Sequence, residues 1–385
     1  MEDTEDAGRD IPPRKAGTTE PKGEAARRYG RNIFIAIIIG LAINILLGLF
    51  VDFDKVKATL AQAQAWQILL PFAAIVAVYV IDAIRFQIVF WQFGVRLSFG
   101  DALYNNVIGY FFSSITPSSA GGYPMQIYHF AKLGLDTTVS TNVTFSRLMV
   151  SNFVQLLILV IFAKEGIRLL ALSGNGAYIL GLGMLTTLVA SIFLLFVFFR
   201  PTLIGRLALR LEGSRLGRMV GRLAKNERWA ESLSAWSFGL RDSFRFLWRT
   251  KVPAVIADSL LFILVEVVWA LGLYYPLASL SGVTLRFDDF LFAFIVCGLV
   301  SAYVPTPGSS GSVEAAYALV LGGLTGGFGA ALTAVFLWRL GAYYLHLVVG
   351  GLTYALVPVR KGAYAPSADG TVRRLKPAGP ASPGS

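Results

Sequence analysis

Apolar runs of about 20 residues recur along this chain of 385 residues, and nothing else in it constrains the fold so tightly. A bilayer core of about 30 Å needs roughly 20 helical residues at 1.5 Å each. Only helices and closed barrels satisfy their backbone groups in lipid, and runs of this length point to helices. The runs fall at about 33–51, 68–92, 138–163, 177–199, 253–281 and 328–357. With 55% hydrophobic residues and 15% charged, the chain has more apolar surface than a soluble core of its size would hide. The expected class is an all-α integral membrane protein built as a helical bundle.

Two further apolar regions, 102–134 and 289–325, are interrupted by turn formers. The first breaks at SSITPSSAGGYP (113–124) and the second at AYVPTPGSSGSVEAAY (302–317). Each arm is short for a full crossing, so two readings stand: a pair of tilted short spans, or a re-entrant hairpin that dips in and returns. Arg27, Arg28 and Arg31 precede the first run, twelve Lys or Arg face four acids in 200–252, and Arg360, Lys361, Arg373, Arg374 and Lys376 follow the last run. The positive-inside rule puts all three segments in the cytoplasm, which requires an even number of crossings from each split region. Residues 1–32 and 358–385 are polar, Pro- and Gly-containing arms expected to be disordered and cytoplasmic, flanking a membrane domain over 33–357. The polar start shows neither the apolar core nor the cleavage site of a signal peptide.

The halves share an order of span, split region and span, over 68–163 and 253–357. Gly121 and Gly311 lie 190 residues apart, Arg147 and Arg339 192, and Asp101 and Asp289 188. One run, 177–199, separates the halves, so the second copy is expected upside down. Inverted repeats with broken helices are typical of transporters, with the substrate near the midplane where the breaks meet.

Charges within spans are costly, roughly 2.5 to 3.5 kcal/mol on insertion scales, and need a partner or a wet cavity. Asp82, Arg85, Arg147, Glu266, Glu314 and Arg339 are of this kind. Asp82 and Arg85, at i,i+3, either neutralise each other or serve the site. Arg147 and Arg339 either snorkel or point inward together. Glu314 opens a helical arm, where free N–H groups and the dipole favour an acid; it either caps that arm or pairs with Arg147 or Arg339. Ser309, Ser310 and Ser312 add hydroxyls, and the helix starts offer N–H groups to an anion such as a lipid phosphate. His129 and His346 read as hydrogen-bonded structure and Cys297 as packing, so no metal or other cofactor is expected. In 200–252, Arg206 with Arg210, and Arg215 with Arg218 and Arg222, alternate with leucines at helical spacing ahead of Trp229, Trp236 and Trp248. That pattern fits interfacial helices on the anionic inner leaflet.

The P-x-P-G-x-x-G-x-x-E motif of Pro305, Pro307, Gly308, Gly311 and Glu314 resembles the second motif of the flippase-like family. That family includes the transmembrane domain of lysylphosphatidylglycerol synthases and stand-alone UPF0104-type relatives. Pro117, Gly121, Gly122, Pro124, Gln126 and Tyr128 resemble its first motif, and FSRLM and FLWRLGAYYL its arginine-bearing spans. The likeness covers about 33–357. It implies re-entrant hairpins and movement of aminoacylated or other polar-headed lipids between leaflets. No segment of this sequence is expected to form the soluble aminoacyl-transferring domain of the synthases, and Gly122 with neutral neighbours stands where many relatives carry an acid and a base.

The expected function is therefore translocation of a polar-headed, anionic or aminoacylated lipid across the cytoplasmic membrane. Arg147, Arg339, Glu314, the Asp82–Arg85 pair and the residues of both breaks are the expected substrate contacts. The alternative is a membrane enzyme or enzyme subunit acting on lipid-linked substrates, with Asp82 and Glu314 as its acid–base candidates. Expected partners are membrane lipid and a homo-oligomer or partner synthase, with no nucleic acid. The sequence carries no nucleotide-binding motif, so movement is expected to be downhill or ion-coupled.

Overall fold

The computed structural model describes residues 64–214, 217–219, 221, 229–302, 304, 306, 308–367 and 370–375. The expected first span and N-terminal tail lie outside these residues, as do Pro305, Pro307, Arg215, Arg222 and Lys376. Four described helical stretches are long and apolar enough to cross a membrane: Ala65–Gln92, Thr137–Ile161, Val252–Ser281 and Phe328–Leu356. In chain order the helices are α1 (Ala65–Gln92), α2 (Phe99–Ile115), α3 (Gly122–Lys132), α4 (Thr137–Ile161), α5 (Ala163–Leu172) and α6 (Ala177–Phe199). They continue with α7 (Pro201–Leu211), α8 (Trp229–Thr250), α9 (Val252–Ser281), α10 (Phe287–Ala302), α11 (Ser312–Thr325), α12 (Phe328–Arg339) and α13 (His346–Leu356). A π-helical turn, Leu340–Leu345, joins the last two.

Local chemistry sets the helix ends. Ser98 caps α2, its hydroxyl accepting the Asp101 N–H at 3.2 Å, and Asp136 does the same for α4 through the Val139 N–H at 2.9 Å. Gly282 and Gly326 close α9 and α11 in the left-handed conformation that favours glycine. The aliphatic outer faces stay exposed: Leu69, Val76 and Val80 on α1, Leu182, Leu185 and Ile192 on α6, and Ile256, Leu260 and Leu264 on α9. Lipid gives these side chains the environment that water does not.

Small residues let the spans approach closely, as they do where no hydrophobic force drives helices together. A Cβ on Gly341 would fall 2.8 Å from the Pro71 carbonyl carbon, so the π turn lies against the backbone of α1. One on Gly205 would fall 2.6 Å from the Ser237 hydroxyl, fixing α7 against α8.

The expectation of a disordered C-terminal arm fails for its ordered part, and with it a purely helical fold. Tyr364–Pro366 (β2) and Val372–Arg374 (β3) pair antiparallel, and β3 runs parallel to Val95–Arg96 (β1), the linker between α1 and α2. The Tyr364 N–H donates to the Leu133 carbonyl at 3.0 Å, and the Tyr364 hydroxyl donates to Asp101 at 2.7 Å. Arg374 adds an ion pair to Asp101 at 3.2 Å. Ala363 and Tyr364 are buried. The strands are too short to be stable alone, and they are held by edges that the helices present.

Candidate functional site

Both breaks fold into one turn. In the first, Ser119 N–H donates to Thr116 C=O at 3.2 Å; in the second, Ser309 N–H donates to Thr306 C=O at 3.1 Å. The two closing residues take positive φ, +50° and +55° at Ser118 and Ser119 and +56° and +54° at Gly308 and Ser309. Proline at the second position of each quartet in the sequence suits such a turn. The shared pattern is T-P-x-S-x-G, at the same offset of 190 residues as Gly121 and Gly311. A non-glycine residue with positive φ carries strain, and here three serines do so at the two breaks.

The breaks meet. A Cβ on Gly308 would lie 2.9 Å from the Ser114 carbonyl and would overlap the Tyr343 ring. Around the meeting point is a cavity of about 330 Å³, within the size range of ligand sites. Ser113, Ser114 and Ser119 line it from the first break, and Gly308 and Ser309 from the second. Glu266, Trp269, Trp338, Arg339 and His346 form much of the rest.

Arg339 ties the second break to its wall. Its Nε donates to Glu314 at 2.8 Å, its Nη2 to the Ser310 hydroxyl at 3.0 Å and its Nη1 to the Gly308 carbonyl at 3.3 Å. The guanidinium stacks over Tyr343 at 4.2 Å, on the π turn, a distortion common at functional sites. The other Glu314 oxygen accepts the Gly311 N–H at 2.8 Å. Glu314 thus both caps α11 and pairs with Arg339, which joins two of the alternatives left open above.

A second buried cluster lies beside the cavity. Asp82 accepts from Arg147 at 2.7 Å, Arg85 at 2.8 Å and the Tyr110 hydroxyl at 2.7 Å. Asp258 accepts from Arg85 at 2.8 and 3.3 Å and lies 4.0 Å from Arg147 Nε. Two arginines face two aspartates, so the cluster is neutral. Arg147 stacks over Phe86 at 3.6 Å. None of the four lines the cavity; Tyr110, which does, connects the two. Arg147 therefore stands one layer away from where Arg339 stands. Asp82 and Glu314, the acid–base candidates, sit in separate ion-pair clusters.

The first-motif residues divide by role. A Cβ on Gly121 would fall 2.6 Å from the Thr116 methyl, and one on Gly122 would overlap the Ser113 hydroxyl, so both let α3 fold back on α2. The Gln126 side chain packs on Gly109, where a Cβ would fall 2.5 Å from its nitrogen. Pro117 is exposed in the turn, and Tyr128 is exposed on the outer face with Lys132 over its ring. Asp258 was overlooked in the sequence, although it sits in an apolar run (VIADSLLF) as Asp82 does. Among the described residues, no His, Cys, Asp and Glu cluster of metal-site size occurs.

The model of the lysylphosphatidylglycerol synthase transmembrane region matches residues 37–350. The chain belongs to this family. A UPF0104 membrane protein of Archaeoglobus fulgidus is similar to it, 24% identical over 349 residues, which is 84% of this chain and 97% of that protein. Both comparisons agree with a membrane protein, and the family's description with a lipid-related function. In this member, the segments carrying both motifs of the family resemblance converge on the cavity through their two breaks.

Proposed function

We propose that this protein moves a polar-headed lipid between the leaflets of the cytoplasmic membrane, its headgroup passing through the cavity between the breaks. The observation that carries this reading is the meeting of two interrupted helices at a serine-lined cavity inside an apolar bundle. Hydroxyls, a carboxylate and a guanidinium on a cavity within a bilayer-spanning bundle give a headgroup what the hydrocarbon denies it. Arg339 is the anchor for the phosphate, and Glu314 holds it in place until a headgroup arrives. Arg147, with Asp82 and Arg85, stiffens the wall behind Tyr110.

The reading takes both split regions as re-entrant hairpins of an inverted repeat. Its support is where their ends lie. Ser98, before α2, donates its N–H to the Tyr364 hydroxyl at 2.9 Å, and Leu133, after α3, bonds the Tyr364 backbone. One residue of the C-terminal sheet therefore holds both ends of the first segment. At the other end of α4, Arg168 pairs with Asp289 at the start of α10. There too, a Cβ on Gly176 would fall 2.7 Å from Val320, and one on Gly323 would overlap the Ser173 backbone, near the end of α11. The 25 residues of α4 separate these two sets of contacts by about 37 Å. The first hairpin thus enters from the side of the C-terminal sheet, the cytoplasmic side in this topology, and the second from the opposite side. The α7–α8 pair, with Arg206 and Arg210 exposed, rests on the anionic inner leaflet.

The test is transbilayer movement of a headgroup-labelled phospholipid in proteoliposomes. Wild-type protein is expected to accelerate it over empty vesicles, and Arg339→Ala and Glu314→Gln to abolish the acceleration. A wild-type rate equal to that of empty vesicles overturns the reading, and wild-type rates in both variants overturn the site.

A further inference from the structure

Five carboxylates are buried among the described residues: Asp82, Asp101, Asp258, Glu266 and Asp289. Four of them have an arginine within 4.0 Å: Asp82 has Arg85 and Arg147, Asp258 has Arg85, Asp101 has Arg374 and Asp289 has Arg168. Glu266 has none. Its partner is an amide, Gln155 Nε2, which donates to Oε1 at 3.2 Å. Glu266 sits in the middle of the 30-residue α9, and it lines the cavity. An ionised carboxylate at that depth with no cation beside it is costly, and a proton removes the cost.

The cavity around it is also unsatisfied. Trp269 Nε1, Trp338 Nε1 and His346 Nε2 are buried on its lining and have no hydrogen-bond partner among the described residues. Buried polar atoms are rarely left so, and a space of this size, with three such atoms and the carboxylate on its lining, has the room and the polar partners that water needs. Water there gives protons a way to the carboxylate.

The other described titratable and charged groups on elements packed around α9 are engaged with partners inside the bundle or exposed on its outside. On α1, Asp82 and Arg85 pair with each other, and Tyr79 bonds His346 Nδ1 at 2.5 Å. On α4, Arg147 pairs with Asp82, and on α12 Arg339 pairs with Glu314. On α10, the Cys297 thiol faces the Ala316 carbonyl at 3.8 Å, Asp288 pairs with Arg286 and Asp289 with Arg168; Tyr317 of α11 donates to Phe294 C=O at 2.8 Å. The charges of α8 whose side chains are described, Glu231, Arg245 and Arg249, are exposed.

We propose that Glu266 couples lipid movement to a proton: the carboxylate takes a proton from cavity water, is neutral while the cavity is closed around a headgroup, and returns the proton to water on the other side. This rests on the lipid-movement reading and supplies its driving ion.

Two measurements test it. In proteoliposomes, an imposed pH gradient is expected to accelerate wild-type lipid movement, while the rate of Glu266→Gln, which keeps the shape and the Gln155 contact, becomes the same with and without the gradient. A wild-type rate that ignores the pH gradient, or responds to a sodium gradient instead, overturns the coupling and leaves lipid movement standing. The second readout needs no transport. Infrared difference spectra between acidic and alkaline buffer are expected to show a protonated-carboxyl band in the wild type that Glu266→Gln lacks. An unchanged spectrum in the variant overturns the assignment even in a preparation that moves no lipid.

Discussion

At the scale of single residues, the isolated charges of the apolar runs proved to be the organising features of the interior. The Arg339–Glu314 pair is largely buried, and removing one partner leaves the other charge uncompensated. Such losses cost about 3–5 kcal/mol, whereas replacing both partners with apolar groups of similar size is far milder. Glu314→Gln is therefore expected to lower the melting temperature in detergent strongly, and the double variant Glu314→Gln/Arg339→Met is expected to recover much of the loss. Equal melting points for the single and double variants would contradict this. The presence of these charges was legible because hydrocarbon makes any charge conspicuous. Their pairings were not: Arg147 meets Asp82 from 65 positions away, and Arg85 meets Asp258 from 173. Asp258 shows that the same criterion, applied evenly, would have completed the neutral cluster.

At the scale of elements, the breaks are built structures. Gly308 takes positive φ and sits against both Ser114 and Tyr343, so Gly308→Ala is expected to destabilise by about 1–3 kcal/mol through backbone strain and overlap. Gly329→Ala, with nothing within 4 Å of its Cβ, is the control and is expected to leave thermal stability unchanged or slightly raised. The positions of the breaks could be read from Pro, Gly and Ser. That both adopt one turn could not, because it depends on backbone angles that three serines hold under strain.

The C-terminal sheet was invisible in the sequence for a different reason. Strands of two or three residues leave no periodicity, and their order comes from surfaces on α1–α3 that are distant in the chain. Burial pushes the Tyr364 hydroxyl up from the ordinary 10 to about 12, and its hydrogen bond to Asp101 adds to the effect. The folded pKa is raised, so the stabilisation is present below pH 10 and is lost as pH rises through about 12. Release of the tail in that window, followed by proteolysis at Arg373 or Arg374, is expected for the wild type. Tyr364→Phe is expected to show weakened protection without the pH step; a step that persists in it would contradict the assignment.

At the scale of the whole molecule, the account requires two hairpins entering from opposite faces. Cys297 is the single cysteine and is buried, so a Cys297→Ser background accepts reporter thiols. Asp136→Cys, after the first hairpin, and Thr284→Cys, before the second, are both exposed positions. An impermeant thiol reagent is expected to reach the first only from the cytoplasmic side and the second only from the outside. Labelling of both from one side would contradict the topology. In the sequence, charge sidedness required only an even number of crossings from each split region, and the repeat offset with one run between the halves pointed to the inversion, because the bilayer imposes length and orientation on every segment. That the breaks meet around a central site was an expectation of the repeat; which residues line the cavity could not be read there, since that depends on how two elements separated by 190 residues touch.

The claim that most depends on this architecture is that a lipid headgroup occupies the space between the breaks. Photocrosslinking in nanodiscs, with a phospholipid carrying the reactive group on its headgroup and adducts mapped by mass spectrometry, tests it directly. The account predicts adducts on the cavity-lining stretches Ser113–Ser119 and Gly308–Val313, lost on addition of excess unlabelled phospholipid. Adducts confined to the outer faces of α1, α6 and α9 would contradict it.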